Sequence, residues 1–290
     1  MTLERLSHCK VNLILNILGK RPDGYHELES IMHPVMVCDS LSFSRAGSSI
    51  QLTCSDPALP TDSGNLVYRA ATLFLESAAI KDGVRIHLEK KLPLAAGLGG
   101  GSGNAACTLK ALNDLFGAPL SGQQLHALAS KLGSDIPFFL QPGPALVTGR
   151  GEGIEPLNSF PALAGAAFVL VHPGFGISTS WAYKQLAHYP EALNGRPGRA
   201  ARTVAILQDS FQGIGAGLYN SLEAPALPKY PLLVLFQEFF RENNMPCLMS
   251  GSGSTTFAIA PSLARAQDLA EAFKSRFGDT NWVTAVAVGS

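Results

Sequence analysis

Between residues 93 and 106 the chain reads Pro-Leu-Ala-Ala-Gly-Leu-Gly-Gly-Gly-Ser-Gly-Asn-Ala-Ala, five glycines in fourteen residues. Glycine has no Cβ to keep a ligand away from the main chain, so such a run can turn its backbone N–H groups toward an anion. A helix opening from it adds the partial positive charge of its N-terminus. The helix is legible in the letters. Ser102 suits a cap or first-turn position, Ala105, Leu109, Leu112 and Phe116 recur at i, i+4, i+7 and i+11, and Gly117 can end the last turn. Upstream, Val84-Arg85-Ile86-His87-Leu88 alternates like a half-buried strand. The order is strand, basic pair Lys90-Lys91, glycine loop, helix, and the guest it suits is a nucleotide phosphate. A plain flexible linker needs neither so much glycine nor a helix starting directly from it.

Two common phosphate loops do not fit. The only Gly-Lys, Gly19-Lys20, is followed by Arg21, so there is no Gly-x-x-x-x-Gly-Lys-Ser/Thr. Gly101-Ser102-Gly103-Asn104-Ala105-Ala106 matches Gly-x-Gly-x-x-Ala, yet no acidic residue lies about 20 positions on to hold a ribose, where the chain reads Gly122-Gln123-Gln124-Leu125. A dinucleotide-dependent oxidoreductase is thereby disfavoured.

Composition bounds the rest. With 290 residues, 46% of them hydrophobic, the chain can fill the cores of two lobes. Lys+Arg and Asp+Glu both total 22, so no global charge draws it to nucleic acid or to a membrane, and phosphate recognition must be local. Cys9, Cys38, Cys54, Cys107 and Cys247 show neither a disulfide framework nor a CxxC metal spacing, and the histidines form no cluster. With no signal-like N-terminus and no membrane-length apolar run, a cytoplasmic enzyme is expected. We divide the chain into residues 1–152, carrying the glycine loop, and 153–290. Ser121-x-x-Gln124 reads as a capping box for a helix whose apolar stripe is Leu125, Leu128, Ala129 and Leu132, with Gly133 at its stop. Residues 193–201 read as a surface loop.

Phosphoryl transfer to an alcohol needs a carboxylate for the hydroxyl proton and cations for the phosphate charge. Asp135 can be that carboxylate, although Ser134-Asp135-Ile136-Pro137 is equally an ordinary helix start with Asp as cap. Lys10-Val11-Asn12-Leu13 reads as a strand with Lys10 and Asn12 on one face. Tyr25 and His26 follow the turn signal Arg21-Pro22-Asp23-Gly24 and can be no more than turn residues.

Pro-x-x-x-Gly-Leu-Gly-Gly-Gly-Ser resembles the ATP loop of the galactokinase, homoserine kinase, mevalonate kinase and phosphomevalonate kinase family. Cys9-Lys10-Val11-Asn12-Leu13, Gly24-Tyr25-His26, Gly133-Ser134-Asp135-Ile136-Pro137 and Ser250-Gly251-Ser252-Gly253-Ser254 fall in the family's order. The resemblance is densest over residues 8–152, with islands at His172-Pro173-Gly174 and Asn220-Ser221-Leu222-Glu223. It implies an α+β, two-lobed small-molecule kinase with a cleft between lobes, using ATP and Mg²⁺. It also implies that Pro93, Leu94, Ala95, Ala96, Gly97, Leu98, Gly99, Gly100, Gly101, Ser102, Gly103 and Asn104, with Asn65, bind the nucleotide. Asp135 would be the base and Lys10 its charged partner. Within the family the match implies a cytidine-diphosphate-linked polyol of the non-mevalonate isoprenoid route as substrate. Asn12, Tyr25 and His26 would then read the cytosine, with Thr179 and Tyr183 completing the site and Trp181 an alternative to Tyr183. Gly103 replaces a usual serine, which makes Ser102 the candidate Mg²⁺ contact. Ser134 and Ser221 replace a usual Ala and Asp. The alternatives are a relative acting on another small alcohol, such as homoserine or mevalonate, and a nucleotide-binding protein without catalysis.

Overall fold

The computed structural model describes residues 2–289. The chain runs β1 (Thr2–Lys20), β2 (His26–Ala46), β3 (Ile50–Cys54), α1 (Leu66–Ser77), β4 (Gly83–Glu89), α2 (Gly100–Leu115), α3 (Gly122–Leu132), β5 (Ala145–Gly149), β6 (Gly153–Pro156) and β7 (Ala167–His172). It continues through α4 (Thr179–Gln185), α5 (Pro190–Leu193), α6 (Arg199–Leu207), α7 (Ile214–Gly217), β8 (Tyr219–Asn220), α8 (Glu223–Lys229), α9 (Pro231–Glu242), β9 (Cys247–Met249), β10 (Thr256–Ala260), α10 (Leu263–Phe277) and β11 (Trp282–Ala287). The α+β class is as expected. Its contacts separate two units that are not contiguous in sequence, residues 2–9, 37–92 and 99–142 in the first and 10–36, 93–98 and 143–289 in the second. A single division at residue 152 does not reproduce them, because β1 and β2 each run through both units.

In the first unit, the C-terminal half of β2 pairs antiparallel with β4, from Ser40 opposite Glu89 to Ala46 opposite Gly83, and β3 lies parallel on β4. Val84, Ile86 and Leu88 point inward while Arg85 and His87 face solvent, so the alternation marks a true strand. Helices α1, α2 and α3 pack on one another. The α3 capping box forms on both sides, with Ser121 accepting from the Gln124 N–H and Gln124 accepting from the Ser121 N–H at 2.8 Å.

Helix α2 begins earlier than the apolar spacing indicates. Gly99 is its N-cap in the left-handed region, φ 69°, and Gly100, Gly101 and Gly103 are helical rather than loop. The helix surrenders the stabilisation a side chain gives each of those positions. At Gly103 a reason is visible: a Cβ there would stand 2.7 Å from the His8 carbonyl oxygen and 3.3 Å from Phe139. The departure from serine in this chain is thus a packing matter.

In the second unit, β1 pairs parallel with β8 (Ile14 opposite Tyr219) and the first half of β2 pairs antiparallel with β5, which hairpins to β6. A second, antiparallel sheet has the order β11-β7-β10-β9. Its β7 and β10 are wholly buried, and Phe236, Phe240 and Phe273 from α9 and α10 fill the adjoining core. The loop expected over 193–201 is shorter. Leu193 ends α5 and Arg199 starts α6, because the Glu29 carboxylate on β2 accepts the Gly198 and Ala200 N–H groups, each at 3.1 Å, and so caps α6 from a distant strand.

Candidate active site

In the second unit, the strand at Lys10 places both residues of its polar face indoors, with Lys10 3% and Asn12 1% exposed. The Lys10 ammonium donates to the Gly97 carbonyl at 2.9 Å and to Asn12 Oδ1 at 2.5 Å. Asn12 in turn donates to Ser30 Oγ at 2.9 Å. Asn12 thus links Lys10 to the neighbouring strand. The Lys10 N–H donates to the Leu98 carbonyl at 3.0 Å, so β1 carries the first half of the glycine loop along its edge.

The second glycine run meets that half-loop directly. Gly97 has φ 75°, and a Cβ on it would stand 2.0 Å from the Ser250 carbonyl oxygen, a separation no side chain tolerates. Ser250 Oγ donates to the same Gly97 carbonyl at 3.0 Å, and a Cβ on Gly251 would lie 3.2 Å from the Lys10 nitrogen. The run 250–254 is held from behind by the Asn220–Glu223 island. Asn220 Nδ2 donates to the Met249 and Gly251 carbonyls at 2.7 and 2.8 Å, while the Glu223 carboxylate accepts the Met249 N–H at 2.8 Å. Burial raises the Glu223 pKa against these stabilising contacts. Ser221, where Asp is usual, donates no charge here: its hydroxyl accepts the Ile17 N–H at 3.0 Å.

Tyr25 is 53% exposed beyond the Arg21–Gly24 turn, with the Arg150 guanidinium 4.7 Å over its ring. His26 and Tyr183 lie together, ring centroids 5.0 Å apart. Burial, with help from Lys20, lowers the His26 pKa and favours a neutral imidazole with one donor and one acceptor. Trp181 packs instead on Tyr230, which favours Tyr183 as the ring beside His26. Thr179 is exposed and shares a 2.9 Å hydrogen bond with Ser252, tying the first residue of α4 to the second glycine run.

In the first unit, no side chain caps the N-terminus of α2, and Ser102 stands half-buried in its first turn. Asn65 serves the local fold. It caps α1, accepting from the Val67 N–H at 2.9 Å and donating to the Pro60 carbonyl at 2.8 Å. Leu66, next to it, reaches the start of α2, 3.7 Å from where a Gly101 Cβ would be. Asn104 is buried and donates to Asp39 Oδ2 at 3.0 Å, so its amide faces the interior rather than a nucleotide. Asp135 is half-buried in the turn before the 3₁₀ segment Pro137–Leu140. The N-cap of that segment is Ile136, whose side chain makes no capping hydrogen bond.

Asp39, Asn220 and Glu223 brace these loop segments and are not among the site residues expected from the sequence. Asp39 carries a signal in retrospect: it occupies the same strand phase as Leu41 and Phe43, where a charge has to be answered from within the fold.

The pattern of the GHMP kinases N terminal domain matches residues 65–143, and that of the GHMP kinases C terminal matches residues 203–279. The 4-diphosphocytidyl-2-C-methyl-D-erythritol kinase of Synechococcus sp. (strain JA-2-3B'a(2-13)) is 39% identical over 292 residues, covering 97% of this chain and 93% of its own. A crystal structure of 4-(cytidine 5'-diphospho)-2C-methyl-D-erythritol kinase superposes with TM-score 0.82 at 36% identity, covering 99% of this chain and 100% of that one. Homoserine kinase from Cytophaga hutchinsonii ATCC 33406 superposes with TM-score 0.77 at 21% identity over 99% of this chain and 95% of its own, a likeness of fold.

Proposed function

The chain belongs to the 4-diphosphocytidyl-2-C-methyl-D-erythritol kinases within the GHMP kinases, and on that premise we propose that it transfers the γ-phosphate of ATP to the 2-hydroxyl of 4-diphosphocytidyl-2-C-methyl-D-erythritol. It is a small-molecule kinase of isoprenoid precursor biosynthesis. The observation that carries the reading is the buried Lys10 ammonium seated on the Gly97 carbonyl, where the two glycine runs meet. A desolvated cation at a phosphate loop is worth far more to a developing negative charge than one in water.

In this reading the first-turn N–H groups of α2 and those of the loop after Pro93 take the triphosphate. Lys10 stabilises the transferring charge, and Asp135 accepts the proton of the attacking hydroxyl. Neutral His26 bonds the cytosine edge while Tyr183 and Tyr25 offer ring faces. Among the described residues no three His, Cys, Asp or Glu side chains are grouped to hold a metal. The donor set therefore fits a Mg²⁺ that arrives on the nucleotide phosphates, with the Ser102 hydroxyl as its protein contact; when bound it shields phosphate charge. All five cysteines are free thiols, and no helix of the described residues is long and apolar enough to cross a membrane, which supports a cytoplasmic enzyme.

The test is ADP release with ATP, Mg²⁺ and 4-diphosphocytidyl-2-C-methyl-D-erythritol, set against homoserine and mevalonate. Turnover is expected on the cytidyl substrate alone, falling by about 10²–10⁴-fold in Asp135→Asn if its carboxylate moves the proton. Equal turnover on another alcohol would sink the substrate assignment. An Asp135→Asn variant as fast as wild type would sink the base.

A further inference from the structure

Asp39 has no exposure to solvent, and four donors converge on it. Oδ1 accepts the backbone N–H groups of Lys91 at 2.8 Å and Leu92 at 2.9 Å. Oδ2 accepts the Lys90 ammonium and, at 3.0 Å, the amide of Asn104. Three of these donors belong to the last residues before Pro93, where the glycine loop departs. The fourth stands just past the first turn of α2, where the loop has become helix. One carboxylate thus fastens both stems of the loop. Asn104 Oδ1 is buried without a hydrogen-bond partner, so the Asn104 amide pays a desolvation cost and returns only the bond to Asp39. Lys90 also reaches the helix start, its nitrogen 3.5 Å from where a Gly100 Cβ would be.

We propose that Asp39 is a positioning residue for the nucleotide. By fixing the separation of residues 90–92 from α2, it sets the aim of the first-turn N–H groups at Gly100–Ser102, which glycines alone would leave free to wander. It touches no reacting atom. The inference rests on the ATP reading above, because it concerns what the loop is held ready for.

Two variants test it. Asn104→Ala cuts the tie to α2 while leaving Asp39 paired with Lys90 and two N–H groups, and Asp39→Asn removes the charge that all four donors answer. ATP affinity is measured by calorimetry, KM for each substrate by ADP release, and folding by thermal melting. The expected result is a KM and Kd for ATP raised about 3–10-fold in Asn104→Ala and more than about tenfold in Asp39→Asn, the scale of one lost or several weakened hydrogen bonds to a charged group. KM for the cytidyl substrate should stay within about twofold, since that contact set is untouched. Variants that melt lower yet keep the wild-type KM for ATP, or that lose both substrates alike, would confine Asp39 to stability and overturn the inference. Should Asp39→Asn fail to fold, Asn104→Ala decides alone. A wild type that binds no ATP would overturn the ATP reading, and this inference with it.

Discussion

At the scale of single residues, the polar groups inside this chain have unequal fates with pH. His33 on β2 is 3% exposed, between the rings of Phe160 and Phe168, and burial lowers its pKa from 6.5 to about 4 against a 2.7 Å contact with the Pro34 carbonyl. The unfolded chain takes up a proton below pH 6.5 where the folded one does not, so stability falls with falling pH across the window from about 6.5 to 4. The whole loss approaches about 3 kcal/mol once His33 is protonated in both states. Denaturant midpoints at pH 7.5 and pH 4.5 should differ less in His33→Phe than in wild type, and parallel pH slopes would refute it. Residue scale is also where the sequence is least legible. Asn12, Asn65 and Asn104 are visible in the letters as polar residues near the motifs. That Asn12 holds Lys10, Asn65 caps α1 and Asn104 serves Asp39 depends on partners brought together by the fold.

At the scale of elements, legibility follows how local the determinants are. Helix α3 is read correctly because its capping box and stripe lie within its own residues, and β4 because alternation is a local pattern. The start of α2 is read to within its first turn, where Ser102 lies, but its opening glycines read as loop because glycine is a poor helix former, and α6 is partly read as loop because its first N–H groups are met by Glu29 from β2. The meeting of the two glycine runs yields a prediction at this scale. Gly97→Ala sets a methyl group against the Ser250 carbonyl at a positive φ, so one run must move off the other and take with it the carbonyl that Lys10 holds. We expect kcat/KM to fall at least about tenfold, equivalent to about 1.4 kcal/mol of lost transition-state stabilisation, with overall fold retained. Steady-state kinetics beside a far-UV dichroism spectrum checks this, and wild-type kinetics in Gly97→Ala would show the two runs to be independent.

At the scale of the whole molecule, the family and the α+β class are legible because they rest on several distinct motifs spread along the sequence. The division into two units is not legible, since each of the two long N-terminal strands serves both. Residues 143–290 expressed alone would lack the stretches that pair with β8 and β5, leaving those strands with open edges. Such a fragment should show no cooperative thermal transition by near-UV dichroism, while the full chain does; a sharp transition in the fragment would refute this. The same pairing bears on how the protein is made. Ile14 leaves the ribosome early, whereas its strand partner Tyr219 follows roughly 200 residues later, about 10–40 s at ordinary synthesis rates. During that interval the first strand, with the lysine it carries, has β2 on one side and an open edge on the other, so the second unit closes only when synthesis is nearly over.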